Sequence, residues 1–522
     1  IAELEHADCI LVAGSNTTEA HPIIALRIKS AVVRRGAILI VADPRRIPLV
    51  RFARLHLRQR CGTDVMLFNA MMNVIVTEGL ANREFVAART EGFAEAWEVI
   101  RHCTPEAAAR ITGVPAEEIR EAARLFARAE RAAIVYSMGI TQHTTGTDNV
   151  LALANLALLT GNIGREFTGV YPLRGQNNVQ GACDMGALPD LLPGYQRVED
   201  PVARRKFAEA WGRELPEKPG LTATEMLHAA EEGKIRALYI MGENPALSHP
   251  NITRARRALA KLDFLVVQDI FLTETARFAD VVLPGASFAE KDGTFTNTER
   301  RVQRIRKALP TLGGAKEDLE VICALSNRMG YPMHYSSAAA VMEEIARVTP
   351  IYAGISYARL EGEGLQWPCP DSLHPGTPYL YRDGFSRGLG KFHPTPFREA
   401  AELPDEEYPL LLSTGRLLHQ FHTGTLTRQV AGLEAISFPG LVEVNPEDAA
   451  ALKISDSDAV LVESRRGRVV ARALVTERVR RGMVFMTFHF REAPANTLTN
   501  DALDPAAKIP EFKVCAVRLR KV

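Results

Sequence analysis

Long apolar runs are missing from this chain of 522 residues. No stretch reaches the roughly 18–20 apolar residues that a membrane-spanning helix needs. Charge of one sign is missing too: 63 Lys and Arg stand against 62 Asp and Glu, a net of +1. No strong field is therefore available to hold nucleic acid or an anionic membrane surface. Paired cysteine motifs are also absent. The seven cysteines (Cys9, Cys61, Cys103, Cys183, Cys323, Cys369 and Cys515) include no C-x-x-C spacing, so neither a zinc ribbon nor an iron–sulfur cluster is encoded here. Their odd number and scatter fit reduced thiols in a cytoplasmic protein better than a disulfide framework.

What is present is ordinary for a soluble globular protein: 46% apolar and 24% charged residues. The length is a prior for three or four domain-sized units. The chain opens on Ile1, a few residues before the strand-like run ADCILVA (7–13). It is expected to lack its start, and with it any targeting signal.

Short runs rich in branched residues alternate with helical patterns. Residues 8–13, 37–42 and 132–137 read as buried strands, and 21–35, 63–85, 115–130 and 148–160 as helices. This alternation predicts a parallel sheet with helices on both faces. The unit then recurs. Strand 238–241 ends at Gly242 and strand 264–268 at Asp269, as 8–13 ends at Gly14 and 37–42 at Asp43. Eight residues after each aspartate comes Arg-Phe-Ala, at 51–53 and 277–279, and then a short apolar strand. Residues 361–407 are rich in Gly, Pro and aromatics and read as a connection. From 408 onward, strands at 410–413, 441–444, 459–464, 468–475 and 483–488 are joined by short turns, with Arg466-Gly467 as a hairpin turn. The expected fold class is α/β: two related doubly wound α/β domains (1–176 and 177–325), a connecting region (326–407) and a C-terminal six-stranded-type β-barrel domain (408–522).

Several residues stand out as chemistry. A glycine loop at the carboxyl end of a parallel strand lets a phosphate approach the backbone. Asp43 and Asp269 could accept hydrogen bonds from ribose hydroxyls or a guanine edge, and Asp43 could equally cap the turn that carries Arg45 and Arg46. STGRLLHQFHTGT (413–425) sets Thr414, Arg416, His419 and His422 after a strand. The two histidines are three positions apart, which on a helix would put them on one face. No third metal ligand is near, so donors around a phosphorylated ligand are preferred. Asn496, Asp504 and Lys513 lie in a stretch that also reads as a surface loop before a last strand. Arg174 sits among Gln176, Asn177, Asn178 and Gln180. Its fork of N–H groups suits a carboxylate, and a loop salt bridge is the equal alternative. Cys183, with no thiol or imidazole beside it, is not expected to bind metal.

The stretch TGNIGREFTGVYPLRGQNNVQGACDMGALPDLLPGY (160–195) closely resembles the catalytic alpha subunits of molybdenum- or tungsten-dependent formate dehydrogenases, in the molybdopterin oxidoreductase (dimethyl sulfoxide reductase) family. SMGITQHTTGTDN (137–149), IMGENP (240–245), residues 266–303, MGYPMHY (329–335) and PEFKVCAV (510–517) support the likeness across nearly the whole chain. The resemblance implies two molybdopterin guanine dinucleotides joined by molybdenum or tungsten. Carried over by motif, Asn16, Asp43, Arg45, Gly62, Asp64, Gly139 and Gln142 hold one dinucleotide. Gly242, Glu243, Asn244, Asp269, Ser287, Thr414, Arg416, His419, His422, Asn496 and Lys513 hold the other. Gly175 and Gln176 touch a pterin near the metal, and Arg174 is the substrate-binding arginine.

The implied reaction converts formate to carbon dioxide with release of two electrons and a proton. The implied partners are electron-transfer subunits with iron–sulfur or flavin centres. The family's 4Fe-4S segment and its metal-ligating cysteine or selenocysteine match nothing in this sequence, so no metal ligand is assigned and the chain by itself is expected to be inactive. Two alternatives are another molybdopterin enzyme, such as a nitrate reductase, and a non-catalytic scaffold like the large subunit of respiratory complex I. The arginine–amide motif argues against the first, and the retained Asp43, Asp269 and Gln176 against the second.

Overall fold

The computed structural model describes residues 1–437 and 440–522. Its contacts gather into two compact units, one of 1–175, 247–253 and 379–522, the other of 176–246 and 254–378.

The first unit is built on a five-stranded parallel sheet. Its order is Leu55–Leu57, Ile38–Ala42, Cys9–Ala13, Ala132–Tyr136, Gly169–Pro172. Alternate side chains of the central strands point to opposite faces, and both faces are dry. Leu11, Ala13, Ile40 and Ile134 join a core with Phe68, Phe126 and Leu153. Ile10, Val12, Leu39 and Val41 join a second core with Ile24, Ile28 and Ala31 of the helix Pro22–Arg35. Burial on two faces is why these strands read as continuous apolar runs instead of alternating ones.

The expected helix over 63–85 is two helices, Asp64–Thr77 and Arg83–Arg89. Gly79 turns the chain at φ +70°, and the Asn82 side chain caps the second helix by accepting from the amide of Phe85. The first of these helices is buried along twelve of its fourteen residues rather than amphipathic. It packs against the helices Pro105–Thr112, Ala116–Arg128 and Gly146–Thr160.

The same unit contains a closed six-stranded barrel. Its order is Leu410–Gly415, Met483–Thr487, Leu441–Val444, Arg468–Val475, Ala459–Glu463, Cys515–Lys521. The predicted hairpin turn is present, with Glu463 paired to Arg468 and the Ser464 amide donating to the Gly467 carbonyl at 2.9 Å. The last strand, Cys515–Lys521, closes the ring against Leu410–Leu412.

The second unit repeats the first sheet in miniature. Three parallel strands stand in the order Val281–Pro284, Phe264–Asp269, Ala237–Met241. The duplication extends to single hydrogen bonds. Gly14 N donates to Ala42 O at 2.9 Å, and Gly242 N to Gln268 O at 2.9 Å. Ala53 N donates to Val50 O, and Ala279 N to Ala276 O, so each Arg-Phe-Ala ends a short 3-10 turn. Gly14 and Gly242 both take left-handed conformations, at φ +51° and +63°. The copies differ in cover. Leu265 and Val267 of the second sheet pack on Ala255, Ala258 and Leu259. The opposite face leaves Tyr239, Met241 and Phe264 between 40% and 48% exposed.

Candidate functional site

At the carboxyl ends of the first sheet, two loops press together. Gly139 N donates to Gly14 O at 3.0 Å, and a methyl on Gly139 would lie 2.4 Å from that oxygen. Only a residue without Cβ fits there. Past Gly14 the chain turns into the short helix Thr17–Ala20. In this segment Ser15 Oγ, both amide atoms of Asn16, Thr17 Oγ1, Thr18 Oγ1, one oxygen of Glu19 and His21 Nδ1 are buried without a hydrogen-bond partner. Buried polar atoms are nearly always paired in native proteins. Such a run of orphans, lying at the strand ends where α/β sheets bind ligands, is the signature of a cradle for a polar ligand. Asn16 is in the expected set. Ser15, Thr17, Thr18, Glu19 and His21 were not singled out from the sequence. Their signal was the run of hydroxyls and amides directly after a strand-end glycine.

Asp43 ends the next strand. Its Oδ1 accepts from the backbone amide of Arg45 at 2.9 Å, so the turn-capping role is real. Burial lifts its carboxyl to about 6. The Arg45 amide bond and the charges of Arg45 and Lys513 work against that rise, and nearby Asp64 adds to it. Asp64, one residue past Gly62 and Thr63, opens the buried helix and accepts from Gln59 Nε2 at 2.9 Å. Burial lifts it to about 6 as well, and Gln59 Oε1 is left unpaired. Gly62 has φ +79°.

Lys513 donates Nζ to the Thr414 carbonyl at 2.6 Å, and Thr414 Oγ1 donates to the Phe512 carbonyl at 2.9 Å. Burial, then the neighbouring Arg416, pushes the Lys513 amine down to about 8. The barrel's first strand and the approach to its last strand therefore put a cation next to Asp43. Arg45 is differently engaged: Nε donates to Glu443 Oε2 at 2.7 Å and Nη2 to Oε1, while the guanidinium lies 4.1 Å from the Phe485 ring. Its guanidinium fork ties the sheet to the barrel.

Arg174 follows the strand Gly169–Pro172, and its carbonyl takes a hydrogen bond from His21 Nε2 at 2.7 Å. Its charge is felt at Tyr136, whose phenol burial pushes up to about 12 and Arg174 pulls back. A methyl on Gly175 would sit 2.9 Å from Arg416 Nη1. The chain passes into the second unit at Gln176.

Residues 416–426 form a turning loop, so His419 and His422 share no helix face. His419 is exposed. His422, at φ +48°, stacks edge-on to Phe488, and its carbonyl is bonded by His489 Nδ1. The Leu417 amide donates to His489 Nε2 at 2.9 Å, which fixes the proton on Nδ1. Burial pushes both His422 and His489 down to about 4, with Arg416 adding to each. Asn496 donates to the Ser248 carbonyl at 2.9 Å and keeps Oδ1 buried and unpaired. Gln142 lies just past the short helix Met138–Thr141 and is half-buried. Asp504 spans Thr147 and the amides of Ala506 and Ala507.

In the second unit, Asp269 accepts from the amides of Ile270 and Phe271, and burial raises its carboxyl. Asn244 is wholly engaged inside the protein, donating to Glu274 at 2.8 Å and accepting from the Thr275 hydroxyl at 2.7 Å. Ser287 caps a 3-10 turn through Glu290. Gly242 and Glu243 are exposed at the end of the first strand, and Gln176 is half-buried.

A parallel α/β sheet with unpaired polar groups at its strand ends, repeated as a smaller sheet and accompanied by a closed β-barrel, defines an α/β class of protein that binds its ligand at the carboxyl ends of the strands. The family description "Molybdopterin oxidoreductase" matches residues 1–328, and "Molydopterin dinucleotide binding domain" matches 410–516. The chain belongs to the molybdopterin oxidoreductase family. It is 53% identical to the F420-dependent formate dehydrogenase subunit alpha of Methanocaldococcus jannaschii, over 100% of this chain and 78% of that protein. Against formate dehydrogenase H of Escherichia coli the identity is 42%, over 100% of this chain and 74% of that protein. Against the assimilatory nitrate reductase catalytic subunit of Bacillus subtilis it is 37%, over 99% and 75%. Among solved structures, acetylene hydratase from Pelobacter acetylenicus shares the fold with a TM-score of 0.74 at 21% identity, covering 100% of this chain and 80% of that one. No helix among the described residues is long and apolar enough to cross a membrane. None of these findings supports the expectation that the chain is inactive.

Proposed function

We propose that this chain is the catalytic part of a formate dehydrogenase that oxidises formate to carbon dioxide, acts in the cytoplasm and passes electrons to iron–sulfur or flavin subunits. The observation that carries the proposal is Arg174, two residues past the strand Gly169–Pro172, with His21 bonded to its carbonyl and Arg416 close against Gly175. The 53% identity to a formate dehydrogenase alpha subunit supports it, and the lower 37% identity to a nitrate reductase favours formate over nitrate.

The residues present fit a molybdopterin guanine dinucleotide. The unpaired Asn16, Thr17 and Thr18 atoms and the strand-end glycines suit its polar and phosphate groups. The Asp43 carboxylate suits donors on a ribose or guanine. Gly62, Asp64, Gly139 and Gln142 complete that set. Lys513, Arg416, Thr414, His419, His422 and Asn496 in the first unit, and Gly242, Glu243, Asp269, Ser287 and Gln176 in the second, are the residues assigned to a second dinucleotide and its pterin. Asn244 acts by holding its loop, and Arg45 by holding the sheet to the barrel. When bound, the molybdenum- or tungsten-bearing group supplies a two-electron acceptor, and a 4Fe-4S cluster is its expected relay.

The chain's own contribution is orientation and charge. Arg174 offers two parallel N–H groups to the formate carboxylate and so directs its C–H bond. It also favours anionic formate over neutral carbon dioxide, which eases product release. The test is Arg174→Lys in the holoenzyme, assayed by formate-dependent dye reduction with metal and pterin content measured in parallel. Full cofactor content with most turnover lost is expected, because a point charge does not reproduce the fork. Unchanged formate oxidation would rule out this role.

A further inference from the structure

His21 bonds the Arg174 backbone carbonyl through Nε2 at 2.7 Å. A carbonyl only accepts, so Nε2 carries the proton and Nδ1 is left with a lone pair. That lone pair is buried and unpaired. Burial, with Arg416 nearby, disfavours protonation of the ring, and the bond to the Arg174 carbonyl opposes them. A neutral ring with one proton has a single way to satisfy the carbonyl, which fixes the tautomer. Pro22 follows directly and begins the helix Pro22–Arg35, so the ring is presented from a rigid element. Arg416 Nη1 stands 2.9 Å from where a methyl at position 175 would lie.

We propose that His21 is a positioning residue: by donating Nε2–H to the Arg174 carbonyl it fixes the backbone from which the formate-gripping guanidinium projects. The proposal rests on the role given to Arg174 above. The imidazole does not touch substrate. Its effect is on where the fork stands, and a displacement of about 1 Å at such a group can cost on the order of 100-fold in rate. The buried Nδ1, like the Asn16, Thr17 and Thr18 atoms of the same segment, has no protein partner and keeps its capacity to accept one ligand donor.

The experiment compares His21→Ala, His21→Gln and His21→Asn in the holoenzyme. A glutamine amide reaches the Nε2 position, whereas an asparagine amide stops near Nδ1. Formate KM and kcat, cofactor content, and hydrogen exchange of a peptide covering 170–176 are read for each. Ala and Asn are expected to raise formate KM by about 10-fold or more at full cofactor content and to quicken exchange, and Gln to restore both. Unchanged KM and exchange in Ala or Asn would overturn the proposal. So would a Gln variant as impaired as Asn, or cofactor loss with formate KM unchanged. Should Ala fail to fold, the Gln–Asn contrast decides. A wild-type protein that does not oxidise formate sinks the functional reading alone, because the exchange measurement still tests the tether.

Discussion

Arg45 and Glu443 form a buried ion pair across 398 positions of chain, each side chain 7% exposed. It joins the loop after Asp43 to the barrel strand Leu441–Val444. Glu443 also takes Arg478 Nη1 at 3.4 Å, so it is removal of Glu443 that strands a buried charge, on Arg45. Glu443→Gln is expected to lower stability by about 3–5 kcal/mol, read by thermal or urea unfolding. Pairing Arg45→Met with Glu443→Met should recover much of that loss. An additive double variant would show that the pair is not coupled.

Asp43 and Asp64 set a pH dependence. Both carboxyls sit at about 6 in the folded chain against an ordinary 3.8. The folded state thus holds its protons where the unfolded state has released them. Their contribution to stability is fully present below pH 3.8 and is lost as pH rises through about 6, by up to ~3 kcal/mol apiece. Asp43→Asn should therefore stabilise the ligand-free protein at pH 8 and have little effect near pH 4. Unfolding free energies at the two pH values check this. A variant less stable than wild type at pH 8 would contradict it.

Gly139→Ala puts a methyl 2.4 Å from Gly14 O, backbone against backbone, where no flexible side chain can yield. A loss of roughly 1–3 kcal/mol is expected, because one of the two loops must move. The same shift opens the cradle around Asn16, so pterin content measured after purification should fall with it. Normal stability and normal pterin content would show that the crossing is looser than its geometry.

Asp184 is fully buried and takes four hydrogen bonds: from Gln180 Nε2 and the Tyr195 hydroxyl at 2.8 Å, the Tyr352 hydroxyl at 2.6 Å and Trp367 Nε1 at 2.7 Å. No cation shares it among these contacts, so the carboxylate is held by neutral donors alone. Asp184→Ala leaves four donors facing a hole and is expected to cost more than 3 kcal/mol, on the order of several unmade buried bonds. Chemical denaturation of the variant tests this. A loss under about 1 kcal/mol would mean that water replaces the carboxylate.

Much of the architecture was readable because burial leaves a period in the sequence. The strands Cys9–Ala13 and Ile38–Ala42 are apolar on both faces, and the run of apolar letters follows. The repeat was readable because Gly14 and Gly242 face the same backbone demand, and their matching bonds to Ala42 and Gln268 bear this out. The single helix expected over 63–85 failed because Gly79 and Asn82, not the apolar pattern, end one helix and start the next. Arg45 was assigned to a ligand on sequence, but its partner Glu443 lies far along the chain, and no spacing rule connects them. Glu511, which accepts from the amide and hydroxyl of Thr144, went unnoticed for the same reason.

The sequence by itself determined the α/β class, the duplication, the barrel and the position of Arg174, since each depends on local backbone conformation or on short-range patterning. Only the tertiary structure decided which polar groups are satisfied. Asn244 is satisfied within the protein and Arg45 by Glu443, while Asn16, Thr17 and His21 are left with buried atoms that have no protein partner. Satisfaction depends on contacts between residues distant in the chain and on exclusion of water. Neither leaves a mark on neighbouring letters, and it is this difference that separates the residues whose polar atoms are paired within the protein from those whose atoms are not.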